Sequence, residues 1–371
     1  MVDKAIVVFS GFNQRAVIAF LRTLEGNEIP YGIIAHSSRD PIFKTAYNKN
    51  VMAVRECEQL ELLDLLSKIN IVQQRLAAKK YVIAPSSESI NRLMLDNQEA
   101  LSRKRCEVPL VDVEKYAMIS DKYSFGDLCR YHGISVPFEY ESISRAVFPF
   151  VAKPRRYTSD SGRVHNPFLI FDEEDKAVFL KEHLESDFYF QEYVEGDSYY
   201  LLYCFMKKGG VSKFSQVNLI QQPNGKSIIA AQDSSLHLSS ESKKYEYLFS
   251  SIGFYGLVMV EVRRKDNAYY MIEANPRFWG PSQLFVDAGV NLFESLLYDN
   301  DVISAMRQAE VRQNVKYLWL GGLVQSSSMG DVKVFDSHGD GFLKDFAKWL
   351  KFDVYNRSDT HEIFYQELGI G

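Results

Sequence analysis

The chain has 371 residues, 46% of them hydrophobic and 25% charged, enough for about two or three domains with substantial cores. A formal net charge of −5 leaves no basic footprint for nucleic acid, and no run approaches the roughly 18 apolar residues of a membrane span. Cys57, Cys106, Cys129 and Cys204 are scattered without a Cys-x-x-Cys pair, so they read as free thiols rather than a zinc or disulfide frame. With no signal-peptide pattern, the expected location is cytoplasmic.

Residues 4–10 predict a strand, and apolar spacing through Ala16, Ile18, Leu21 and Leu24 predicts a helix that stops at Gly26. A second strand follows over 31–36, a helix near 60–80, a third strand over 81–84 and a helix over 91–103. Strands alternating with helices predict a parallel, Rossmann-like sheet over residues 1–113. The turn after the first strand, Ser10-Gly-Phe-Asn-Gln-Arg15, sits where such a sheet opens its ligand crevice. It lacks Gly-x-Gly-x-x-Gly, so no dinucleotide site is expected. Arg15 and Glu88, at strand ends, read first as surface caps and second as substrate contacts.

Ser120 is expected to cap a helix that begins at Asp121-Lys122 and closes at Gly133. Residues 148–154 form a strand with Lys153 on the face of Val151, and 169–171 form its return. The connecting loop carries Arg155, Arg156, Thr158, Ser159 and Ser161 but only one glycine, Gly162. A strand over 187–192 runs into a turn at Gly196, and further strands over 201–205, 213–219 and 227–231 predict an antiparallel sheet. Gln221 and Gln222 read as turn residues before Pro223. Helices are predicted over 243–252, 288–298 and 340–351, and a strand over 315–320.

Between these lie two short apolar runs, 257–262 and 269–275, joined by a polar spacer. Strand alternation puts Met271, Glu273 and Asn275 on one face, with Tyr270, Ile272 and Ala274 on the other. Pro276 ends the ladder and Arg277 follows with a fork suited to phosphate. For Glu261 and Glu273 to share a face the connecting loop must be odd, such as 266–268; a two-residue Asp266-Asn267 turn sets them on opposite faces. A carboxylate and an amide oxygen two residues apart suit a hard cation such as Mg²⁺. The plain alternative is an ion-pair cluster in which Arg263, Arg264 and Arg277 neutralise the acids.

Glu261, then Glu273-Ala-Asn275-Pro-Arg277-Phe-Trp-Gly after a hairpin, resembles the ATP-grasp superfamily in its carboxylate–amine ligase and biotin-carboxylase-like branch. Asp121-Lys122 before Gly133-Ile-Ser-Val-Pro137, the Lys153-Pro154 strand and the Gln191-Glu-Tyr-Val-Glu-Gly196 turn fall in the matching order. The resemblance implies an α/β and α+β chain with four parts. These are a Rossmann-like pre-ATP-grasp domain (1–113), small (114–190) and large (191–300) ATP-grasp subdomains, and an extension (301–371) read only as packing or a homodimer contact. It implies ATP and two Mg²⁺ ions, with Mn²⁺ as the alternative, held by Glu261, Glu273 and Asn275.

By the same resemblance Lys122, Lys153, Ser161 and Gly162 meet the phosphates, and Gln191, Glu192, Tyr193 and Val194 meet the base. Arg277 and Lys153 act on the transferring phosphoryl group. The family's ribose-binding glutamate is replaced by Ser198, which leaves Asp197 or a water for that contact. Phe278 and Trp279 are expected behind Arg277, lining the pocket. The implied activity is ATP-dependent ligation of a small-molecule carboxylate to an amine through an acyl phosphate. A bicarbonate-activating carboxylase-like enzyme and a catalytically silent ATP-binding regulator are the alternatives.

Overall fold

The structure, a computed structural model, describes residues 2–158, 164–308, 310–335 and 345–370. From Ala5 onward β1 (Val2–Phe9) is buried on both faces, as a strand covered on two sides requires. It is followed by α1 (Gln14–Gly26), β2 (Tyr31–Ala35), β3 (Val51–Val54), α2 (Leu62–Arg75) and β4 (Ala78–Ile83). Next come α3 (Glu88–Asp96), α4 (Gln98–Arg103), β5 (Cys106–Glu107) and α5 (Val113–Ser120). The five strands pair in parallel in the order β3-β2-β1-β4-β5. Helix α1 packs on one face, α2 and α3 on the other.

Several boundaries differ from the sequence reading. The helix expected over 60–80 ends at Arg75, and the one over 91–103 breaks at Asn97, which closes α3 and opens α4. Strand β3 and helix α5 were not anticipated, being four and eight residues long.

Helix α6 (Lys122–Tyr131) is capped by Asp121, whose Oδ1 accepts from the Tyr123 and Ser124 N–H groups at 3.0 and 3.1 Å. Ser120, the expected cap, instead accepts a hydrogen bond from Arg92 at 2.8 Å. A four-stranded antiparallel sheet, ordered β6-β9-β7-β8, follows: β6 (Glu139–Tyr140), β7 (Phe150–Pro154), β8 (Phe168–Ile170) and β9 (Phe188–Glu192), with α7 (Glu173–Glu182) after β8. Phe150, Ala152, Phe188 and Phe190 alternate onto its core face. Val151, Lys153, Tyr189 and Gln191 therefore share the opposite face, as expected for Lys153 and Val151.

The larger sheet is antiparallel: β10 (Asp197–Phe205), β11 (Val211–Gln221), β12 (Ile228–Asp233), β13 (Gly256–Lys265) and β14 (Ala268–Asn275), with α8 (Ser240–Ser251) before β13. After β14 come α9 (Gln283–Asp287) and α10 (Leu292–Asp299), with a left-handed Gly289 between them; the helix predicted over 288–298 begins only at Leu292. The sheet order is β14-β13-β10-β11-β12-β15, and its last strand β15 (Lys316–Leu318) comes from the C-terminal part. After α11 (Leu320–Ser326), β16 (Lys333–Val334) also pairs with β11. Helices α12 (Phe346–Trp349) and α13 (His361–Glu367) complete the chain; the start of the helix predicted over 340–351 lies outside the described residues.

The parallel sheet holds the end of the β13–β14 hairpin. Asn13 Nδ2 donates to the Phe278 carbonyl at 2.7 Å, and Phe278 N–H donates to the Pro85 carbonyl at 3.1 Å. The segment after β14 thus sits on the carboxyl ends of β1 and β4, at the point where strand order reverses. Arg15 is not a surface cap: its guanidinium lies 3.7 Å from the Trp319 ring centroid and donates to Ile228 O, Tyr317 Oη and Ser227 Oγ. All four cysteines are unpaired. Among the described residues no helix is long and apolar enough to cross a membrane.

Candidate functional site

The hairpin that carries the site does not close as a simple ladder. Its turn is the two-residue Asp266-Asn267, both residues left-handed (φ 49° and 62°). Lys265 pairs with Ala268, Arg264 with Tyr269, Arg263 with Tyr270 and Val262 with Met271. Continued regularly, that register sets Glu261 opposite Ile272 and turns Glu273 away. Instead a bulge falls after Val262: Ile272 is the extra residue, Glu261 pairs with Glu273, and Met259 with Asn275. The bulge restores the parity that the turn removes. It also corrects the predicted face of Met271, which is buried in the core with Val260 and Val262 while Glu273 and Asn275 line the cleft.

The bulged Ile272 offers its carbonyl to Lys153 Nζ at 3.0 Å, so the lysine spans from the small sheet to the large one. Lys122 Nζ lies 2.9 Å from Glu273 Oε2, and Asn275 Nδ2 donates to Glu273 Oε1 at 2.7 Å. Arg277 donates to Asn275 Oδ1 at 3.2 Å and to the Phe278 carbonyl at 2.9 Å. Arg263 Nη2 meets Glu261 Oε1 at 3.1 Å. The acids are therefore neutralised by Arg263 and Lys122; Arg264 turns instead to Asn267. Phe278 and Trp279 are buried in the core, packed with Phe20, Phe285 and Phe293.

Burial raises the Glu261 carboxyl above its ordinary range, and the neighbouring Glu273 charge adds to this against Arg263. Burial pushes Glu273 the same way, but the Lys122 charge and hydrogen bonds from Lys122 and Asn275 outweigh it and hold that carboxyl at about 2. Burial, with Lys122 beside it, lowers the Lys153 ammonium to about 8.

At the other side of the cleft Gln191 is 3% exposed, and its Oε1, like the Tyr189 hydroxyl on the same face, has no hydrogen-bond partner among the described residues. Buried polar atoms left this way suit a polar ligand between the sheets. Glu192 is tied to Lys265 at 2.7 Å, and Tyr193 accepts from Lys333 of β16. Val194 is buried and Asp197 pairs across the ladder with Arg264. Ser161 and Gly162 lie outside the described residues.

Ser198, at the missing ribose position, is fully buried and donates to Glu261 Oε1 at 3.4 Å while accepting from Asn218 at 2.9 Å. Gln221, read as a turn residue, accepts from Arg263 at 3.2 Å. The two-residue spacing of Glu261 and Arg263 was the readable signal for this network; Asn218, Lys333 and Phe335 left none, because pairing across β11 brings them in.

Glu88 pairs with Arg92 at 2.9 Å, and Arg92 stacks 4.2 Å from the Tyr157 ring centroid. These flank a cavity of about 470 Å³ whose lining includes Arg92, Tyr116, Asp121, Arg156 and Tyr157. Asp121 of this lining is followed in the chain by Lys122, which pairs with Glu273.

Among the described residues no three His, Cys, Asp or Glu side chains are grouped to hold a metal. The donor set here is two carboxylates and one amide oxygen. That fits Mg²⁺, which takes one or two carboxylates and completes its shell with substrate phosphates.

No protein-family profile and no curated protein matches the chain. Solved structures do. N5-carboxyaminoimidazole synthetase from Staphylococcus aureus, complexed with ADP, superposes with a TM-score of 0.64 at 14% identity, over 93% of this chain and 96% of that one. Biotin carboxylase from Campylobacter jejuni gives 0.61 at 13%, over 84% and 74%. The biotin carboxylase domain of Hydrogenobacter thermophilus 2-oxoglutarate carboxylase, with MgADP and bicarbonate, gives 0.60 at 15%, over 85% and 73%. The chain thus shares the fold of these structures, the ATP-grasp fold that its Lys122, Lys153 and Glu273–Arg277 motifs resemble.

Proposed function

We propose that the protein is an ATP-dependent ligase that joins a carboxylate to an amine and releases ADP and phosphate. The observation that carries this reading is the set of cations around the cross-strand pair Glu261 and Glu273: Lys122 on Glu273, Lys153 on the Ile272 carbonyl beside it and Arg277 on Asn275. Phosphoryl transfer asks for alignment and charge neutralisation more than for a covalent nucleophile.

In this reading Gln191, Glu192, Tyr193 and Val194 seat the base, with Asp197 at the ribose, and Lys122 and Lys153 draw in the phosphates. Glu261 and Glu273 hold Mg²⁺ (or Mn²⁺), and Asn275 contributes to a second ion. When bound, the metal neutralises charge on the transferring phosphoryl group. Arg277 steadies the same group and orients the acid. An oxygen of the substrate carboxylate attacks the γ-phosphorus, the bond to the ADP oxygen breaks, and an acyl phosphate results. The amine then attacks the acyl carbon; phosphate leaves and the nitrogen loses a proton. Residues 1–113 act as the pre-ATP-grasp domain, and the cavity beside Arg92 and Tyr157 admits the acid or the amine.

The test is ADP and phosphate release from ATP across a panel of acids and amines. Release that needs both partners supports the ligase, and tight ATP binding with no release under any pairing points to a silent nucleotide binder. A second reading, bicarbonate activation, is favoured by the bicarbonate complex of the Hydrogenobacter domain. ADP release driven by bicarbonate without an amine selects it.

A further inference from the structure

Glu261 is already engaged before any ligand arrives. Both the Arg263 guanidinium, at 3.1 Å, and the Ser198 hydroxyl, at 3.4 Å, converge on its Oε1. The Glu261 and Arg263 side chains are 7% and 11% exposed. Arg263 lies 4.6 Å from the Phe335 ring centroid and bonds Gln221, yet its Nη1 is buried without a hydrogen-bond partner among the described residues. A buried ion pair with an unsatisfied donor is a poor stabilising device, so its charge needs another account.

The charge balance of the cleft supplies one. Two carboxylates, Glu261 and Glu273, face four cations: Arg263, Lys122, Lys153 and Arg277. Glu88, the next acid, is taken by Arg92. A divalent ion entering alone meets surplus positive charge and must compete with Arg263 for a carboxylate. A triphosphate reverses that balance.

We infer that Arg263 is a resident counter-ion of Glu261 that makes metal binding conditional on nucleotide. The ion enters with ATP or after it, and the nucleotide-free protein takes up none. This rests on the nucleotide-site reading above. Arg263 acts through Glu261 and is a positioning residue.

The test is titration of the full chain with MnCl₂, followed by electron paramagnetic resonance of free Mn²⁺ without nucleotide, for wild type, Arg263→Gln and Arg263→Lys. Wild type and Arg263→Lys should leave the Mn²⁺ signal unchanged. Arg263→Gln should bind one ion at least about tenfold tighter, a gain that structural damage does not produce. ATP binding by wild type with Mg²⁺ present is measured separately by calorimetry. Mn²⁺ uptake by wild type alone overturns the inference whatever the variants do. So does an Arg263→Gln protein of unchanged circular dichroism that binds Mn²⁺ no better than wild type. Both results leave the nucleotide site standing if ATP binds; absence of ATP binding overturns the site and this inference together.

Discussion

Glu261 and Glu273 sit opposite each other on adjacent strands, yet their surroundings drive them apart. Glu273 is held near 2 because Lys122 and Asn275 outweigh burial, so it stays charged across the physiological range. Glu273→Gln should therefore lower ATP-dependent turnover by on the order of 10²-fold or more, with circular dichroism unchanged. Lys153 gives a pH signature. Its ammonium falls from 10.5 to about 8 through burial and Lys122, so above pH 8 the neutral amine no longer attracts phosphate. ATP affinity should weaken by up to about tenfold per pH unit above that point. Stability should move the other way. Between about 8 and 10.5 the unfolded chain holds the Lys153 proton and the folded chain does not, so this group's contribution to stability rises with pH. Calorimetry and urea denaturation at pH 7 and 9 check the two signs together.

At the scale of the element, the β13–β14 hairpin shows what could be read ahead and what could not. The residue types that carry chemistry, and their spacing from Glu273 to Arg277, were plain in the sequence because they lie within five consecutive positions. The face of Met271 was not, since a bulge is set by which residue the partner strand skips. The partners of Ser198 and Gln221 were not legible for a related reason: Glu261 and Arg263 lie across sheet ladders more than 40 residues away. The parallel sheet was legible because its strands alternate with amphipathic helices, whereas four-residue β3 is too short for any period to show. Deleting Ile272 tests the bulge directly. The ladder becomes regular, Glu261 still faces Glu273, but Lys153 loses its carbonyl. The variant should unfold cooperatively and bind ATP roughly tenfold more weakly, the worth of one charged hydrogen bond. Retained wild-type affinity by calorimetry counts against a role for that anchor.

Across the whole molecule the parallel sheet, the large antiparallel sheet and the C-terminal part meet at Arg15. Its guanidinium stacks on Trp319 and bonds the backbone of Ile228, and Trp319 donates its indole N–H to Glu367 of α13 at 2.9 Å. Arg15→Ala should destabilise the protein by about 2 kcal/mol or more in urea denaturation, since a partly desolvated cation–π contact and charged hydrogen bonds are lost together. The same region bears on synthesis. Strands β15 and β16 lie far along the chain but finish the sheet that carries the carboxylates. While the ribosome has delivered only the first three hundred residues, β12 is an open edge, ready to pair with a stranger. The nascent protein must wait for its later strands, so shielding by a chaperone should matter most in that interval.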